Sequence, residues 1–138
     1  MAYPIGTVTT NATEWIETCI VGGTWTCPSK ATDGFEVLSV VIELIGGGQG
    51  GRPGGITNGG NGGIGGGYSK KNTFSVTPGT NYTITVGQGG ASNANGTDSW
   101  FNAVGTALAK GGGSASTAVG DTINVGGTGG VGSTLGGG

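Results

Sequence analysis

After Ile45 the chain turns to glycine, and that change limits what it can fold into. Residues 1–45 hold four glycines and residues 46–138 hold the other 32. Glycine has no side chain to bury and loses more freedom on folding than any other residue. The tracts run from Gly46 to Gly67, Gly87 to Gly96, Gly111 to Gly113 and Gly126 to Gly138. Within them Gly48, Gly51 and Gly54, then Gly60, Gly63 and Gly66, keep a register of three, as do Gly126, Gly129 and Gly132. Three residues per turn is the repeat of an extended left-handed helix, which makes no internal hydrogen bonds. With no Cβ on the contacting face, such helices can pack backbone to backbone and bond to their neighbours instead. The tracts are therefore expected to form extended polyglycine-type helices. Ordering them requires dense bonding between segments, with an adjoining β core or a neighbouring subunit. Flexible loops are the alternative, against which Ile56, Ile64 and Tyr68 interrupt the tracts as packed residues would.

The remaining sequence reads as all-β. Phe35–Ile45 is the clearest strand, with Leu38, Val40, Ile42 and Leu44 on one face and Ser39 and Glu43 interrupting the other. Thr24–Cys27 alternates, placing Trp25 and Cys27 together, until Pro28 stops it. Residues 72–87 predict a hairpin across Thr77-Pro78-Gly79-Thr80. There Pro78 presets the second turn position and Gly79 accepts the positive φ of the third, as a type II turn needs. Shorter strands are expected at Ser99–Val104, Thr106–Lys110 and Thr122–Val125. Residues 11–20 fit either a short helix, with Asn11 and Glu14 as a capping box, or a strand. Cys19 and Cys27 enclose seven residues and fit either a disulfide or two free thiols.

The composition excludes much chemistry. With no histidine there is no imidazole base, no Ser-His-Asp triad and no histidine-ligated metal. Two cysteines cannot build a four-thiolate zinc site. A net charge of −2 removes the electrostatic footprint of a nucleic-acid binder. No apolar stretch is long enough for membrane insertion. Gly46-Gly47-Gly48-Gln49-Gly50-Gly51 fits the dinucleotide fingerprint by letter, but Arg52-Pro53-Gly54-Gly55 starts no helix to carry a pyrophosphate. The seven carboxylates are scattered, and Asp98 reads as a turn residue bonding nearby backbone. No enzyme activity, cofactor or metal is expected.

Several pieces occur in a telling order. They are Trp25-Thr26-Cys27-Pro28, the strand Val37–Ile45, Gly46-Gly47-Gly48 and Gly66-Gly67-Tyr68-Ser69-Lys70. Val76-Thr77-Pro78-Gly79-Thr80-Asn81-Tyr82, Val86-Gly87-Gln88-Gly89-Gly90, Gly96-Thr97-Asp98-Ser99-Trp100-Phe101 and Ala109-Lys110-Gly111-Gly112 follow. The set resembles the glycine-rich domain of bacteriophage tail fibre and other virion surface proteins. The insertion Ser29–Gly34 and the lack of a long N-terminal fibre shaft depart from that pattern. The resemblance implies a small β-sandwich-like core with glycine-rich loops and a role in virion architecture or host attachment. The organisation then reads as a 1–23 attachment or oligomerisation segment, a 24–113 glycine-rich β domain and a 114–138 glycine-rich extension.

The expected function is that of a non-enzymatic bacteriophage structural protein on the virion surface, as a tail fibre or adhesion component or a capsid decoration. The start of the chain carries no signal-peptide pattern, so synthesis in the host cytoplasm and release by lysis are expected. Expected partners are copies of itself, a trimer by resemblance, together with other virion proteins and a host glycan or protein. Candidate receptor contacts are Asn58, Asn61, Asn93, Asn95 and Trp100, since amides and an aromatic face suit sugars; Trp100 could equally fill a small core. Two other classes stand beside this one. An ice-binding protein would need a flat threonine face, for which Thr73, Thr77, Thr83 and Thr85 are the candidates. An extracellular fibre or matrix subunit would form filaments.

Overall fold

Where β-branched and aromatic residues alternate with polar ones, the chain is extended. A computed structural model describes residues 6–10 and 15–133, and its regular structure is almost wholly antiparallel β. The strands are β1 (Gly6–Thr10), β2 (Trp15–Cys19), β3 (Gly23–Thr26), β4 (Ser39–Ile45), β5 (Tyr68–Ser75), β6 (Asn81–Thr85), β7 (Ser99–Phe101), β8 (Ala107–Ala109) and β9 (Thr122–Asn124). β1 pairs with β2, so the strand reading holds from Trp15 onward. Asn11, Glu14 and Gly136–Gly138 lie outside the described residues. A four-stranded sheet runs β3-β6-β7-β8 and a three-stranded sheet runs β4-β5-β9. The Ser29–Gly34 insertion folds into one helical turn, α1 (Lys30–Asp33), closed by Gly34 at φ 78°. Cys19 and Cys27 are both free thiols.

One apolar cluster joins the inner faces of the two larger sheets. Ile42 and Leu44 of β4 meet Tyr82, Phe101, Ala107 and Ala109 of the other sheet, with Cys27 and Val76. Trp25, Phe74 and Val40 pack against them. Tyr82 and Phe101 stack at 5.5 Å between ring centroids, and Phe74 meets Phe101 edge-on at 5.6 Å. The strand predicted from Phe35 begins only at Ser39. Leu38, just ahead of it, is 62% exposed although its carbonyl accepts the Val76 N–H; β4 then buries one face, and its other face stays open at Val41 and Ile45.

The hairpin expected over residues 72–87 is not formed. The turn itself is present: Thr80 N–H bonds to Thr77 O at 3.1 Å and Gly79 has φ 77°. Its two arms part company, however, with β5 joining β4 and β9 while β6 joins β3 and β7. Phe74 and Tyr82 can thus enter the same core from opposite sheets, meeting edge to face at 6.1 Å. Thr73 on β5 and Thr83 and Thr85 on β6 therefore belong to different sheets and make no single threonine array.

Beside this core the glycine tracts run as extended segments bonded to one another. Gly46 N–H bonds to Gly67 O, Gln49 to Ile64 and Arg52 to Asn61, an antiparallel pairing that steps by three residues. Gly65, Gly62 and Gly59 bond in the same step to Gly127, Gly130 and Ser133. Gly47 and Gly50 bond to Thr97 and Ala94, and Gly90 and Asn93 bond in parallel sense to Gly48 and Gly51. A β-ladder repeats every two residues, so a step of three is a different geometry. Among the described tract glycines only Gly113 has a positive φ. Glycine is needed here for room. A Cβ on Gly47, Gly50, Gly63, Gly66, Gly96, Gly126, Gly129 or Gly132 would lie within 3.0 Å of another segment's backbone. In residues 46–52 the tightest positions include Gly47 and Gly50, one step off the register read from the sequence, because this segment has neighbours on more than one side.

Candidate functional site

Clamping the backbone at every third residue fixes where the side chains of the clamped residues stand. Segments 49–52, 61–64 and 128–131, with Asn93, enclose a shallow groove of about 340 Å³. Its polar side chains are Gln49, Arg52, Asn61, Asn93 and Thr128, and Ile64 and Val131 add apolar wall. Arg52, Asn61 and Asn93 are each held from behind. Arg52 N–H bonds to Asn61 O at 2.8 Å, and Arg52 Nε donates to Asn93 Oδ1 at 3.2 Å. Asn93 sits at φ 60°, a left-handed conformation that asparagine tolerates, and its N–H bonds to Gly51 O. Asn61 Oδ1 accepts the Gly132 N–H at 2.8 Å, which fixes the orientation of its amide.

The sequence-based candidates separate accordingly. Asn61 and Asn93 come together in the groove. Asn95 does not join them, since its amide is spent internally: Oδ1 accepts from Gln49 Nε2 and Nδ2 donates to Gly113 O, both at 2.8 Å. Gln49 in turn accepts the Ile64 N–H, so Gln49 and Asn95 act as a clasp. Asn58 is exposed outside the groove lining. Trp100 lies in β7, half-exposed, between Thr85 and Leu108 in register and outside both the core cluster and the groove. Reading for amides and aromatics missed Arg52. It was visible as the chain's one arginine, placed inside a glycine tract.

The charges elsewhere serve structure. Lys70 pairs with Glu43 and Lys71 with Asp121, each at 2.8 Å, and both carboxyls are held below their usual range by these lysines. Burial pushes the Asp98 carboxyl up. Bonds from Ser116, the Gly111 N–H and Ser114, with Lys110 nearby, outweigh that and hold it low. Asp98 thus ties the end of β8 to the glycine segments, a longer reach than a local turn. Burial raises both thiols, and the Glu17 carboxylate adds to this at Cys19. Among the described residues no group of three or more His, Cys, Asp or Glu is placed to hold a metal ion. No helix there is long and apolar enough to cross a membrane. A second hollow of about 270 Å³ is walled by glycine backbone, Ala118, Ile123 and Val125, with Lys110 at its side.

A family model described as a glycine-rich domain matches residues 7–138, and the chain belongs to that family. Comparison with curated proteins and with solved structures returned no match.

Proposed function

We propose that this member of the glycine-rich domain family is a non-catalytic bacteriophage structural protein displayed on the virion surface, as a tail fibre or host-adhesion component or a capsid decoration. The observation that carries the proposal is the backbone lattice. Its step of three supports reading the tracts as polyglycine-type extended helices, and the shared apolar cluster supports reading the two sheets as a small β-sandwich beneath them. Such a scaffold is stiff yet offers few side chains, so recognition falls to the residues left pointing outward. A surface poor in charge and rich in Thr, Ser and Asn suits a hydrated particle exterior. Exposed glycine segments such as Gly127 and Gly130, with nothing within 4 Å of a Cβ placed on either, suit self-association, for which a trimer is the proposed state.

Mass spectrometry of purified particles, with immunogold labelling, tests the assignment. The expected result is the protein present at fixed copy number and labelled on the outside. Its absence from particles that carry every other structural protein would overturn it. Sedimentation of the purified chain tests the trimer, and filaments in the microscope would favour a matrix subunit instead.

A further inference from the structure

We propose that the groove around Arg52 binds a glycan through an oxyanion, a carboxylate or a phosphate carried on the sugar. The proposal deepens the attachment role given above and rests on it for its biological setting, though not for its chemistry.

The argument is a count of donors and acceptors. An asparagine side chain offers one acceptor oxygen and two donor hydrogens, and an arginine offers donors only. Asn61 Oδ1 is engaged by the Gly132 N–H, and Asn93 Oδ1 by Arg52 Nε. Among the described residues Asn61 Nδ2, Asn93 Nδ2 and the two terminal nitrogens of Arg52 have no protein partner. Asn61 and Asn93 thus turn their oxygens to the scaffold, and with Arg52 they leave N–H groups free. A ligand that only accepts hydrogen bonds satisfies such a set, and an oxyanion is that ligand. A neutral sugar hydroxyl would also have to donate, and each of the two asparagine oxygens already accepts one hydrogen bond.

Charge points the same way. No described carboxylate lies within ion-pair distance of Arg52, whereas Lys70 and Lys71 each have one. The guanidinium is also pre-set, because its Nε is anchored to Asn93 and its backbone to Asn61. The fork left free matches carboxylate or phosphate in a bidentate geometry and loses little freedom on binding. Ile64 and Val131 offer apolar surface for the sugar ring itself.

The test is calorimetric titration of the purified full chain with three probes: trigalacturonate, a mannose 6-phosphate oligomer and maltotriose. Binding of either acidic probe and not of maltotriose is expected, and which one binds identifies the oxyanion's source. Arg52→Gln is expected to weaken that binding at least tenfold, while Lys30→Gln leaves it unchanged. Asn61→Asp keeps the oxygen that accepts the Gly132 N–H but sets a negative charge in the groove, and should abolish binding in a folded protein. No binding of either acidic probe overturns the proposal. So does equal affinity for maltotriose, or retained affinity in both variants. Particle proteomics separates this failure from that of the attachment role. A chain present on virions but indifferent to all three probes loses the groove and keeps the role, whereas one that binds acidic glycans but is absent from virions loses only the role.

Discussion

Around Phe101 the chain is held by what its side chains fill; around Gly47 it is held because no side chain stands in the way. The core joins two antiparallel sheets through stacked and edge-on rings, and its energy scales with the apolar area removed from water. The lattice beside it buries backbone against backbone, and its stabilisation comes from hydrogen bonds that step by three. Each such bond contributes only about 0.5–1.5 kcal/mol net, while leaving a buried partner unmade costs about 1–3 kcal/mol. The difference predicts opposite responses to mutation. A core can yield a little at a time, but the inner positions of the lattice have no room for one methyl group.

The sharpest test sets Gly47→Ala and Gly66→Ala against Phe101→Leu. Each added methyl would press on a carbonyl of Gln88 or Gly46, backbone that neighbouring bonds hold in place. A loss of about 3 kcal/mol or more is expected, near the upper end for overpacking. The core exchange should cost roughly 1–2 kcal/mol, because the surrounding rings can repack. Denaturant melts of the three variants check the order. Next comes the joint between the two regions. Ser99 Oγ donates to Ile45 O at 2.6 Å and accepts the Gly87 N–H at 2.8 Å, at a buried position. Ser99→Ala should cost about 2–3 kcal/mol, since it strands a donor and an acceptor.

A smaller effect is expected at Asp98. Its carboxyl is held below the ordinary value, so its stabilising contribution is fully present above the unfolded pKa of about 3.9. That contribution is lost as pH falls through the lower folded value. Melting temperatures followed downward from about pH 6 should fall less steeply in Asp98→Asn than in the parent. The smallest effect is expected at the outer edge. A Cβ on Gly130 meets nothing within 4 Å, so Gly130→Ala should change stability by no more than about 0.5 kcal/mol. A large loss there would mean that this edge is covered in solution, as self-association would have it.

The two regions also differed in how far the sequence could reveal them. Alternation exposed β4, β6 and the short strands β7 to β9, and the Pro78-Gly79 pair exposed its turn. Alternation cannot say which strands pair, and so residues 72–87 passed for a hairpin although its arms enter different sheets. In the tracts the register of three was legible at Gly60, Gly63 and Gly66, where each glycine meets another segment. It slipped at Gly48 and Gly51, because a segment with several neighbours needs room on more than one face. Of the site, Asn61 and Asn93 could be suspected as amides. That Asn95 would be consumed by Gln49 and Gly113, and that Arg52 would stand beside Asn93, depends on contacts 18 to 46 residues apart in the chain. No local pattern encodes those contacts.

Amide hydrogen exchange on the purified, assembled protein tests the central claim, that backbone bonding makes the glycine region rigid. The account predicts that the N–H groups of Gly47, Gln49, Gly50, Gly62 and Gly65 are protected as strongly as that of Leu108 beside the core. Gly127 and Gly130, whose N–H groups donate to no described backbone carbonyl, should exchange quickly. Exchange of all the tract amides at the rate of an unstructured peptide would contradict it.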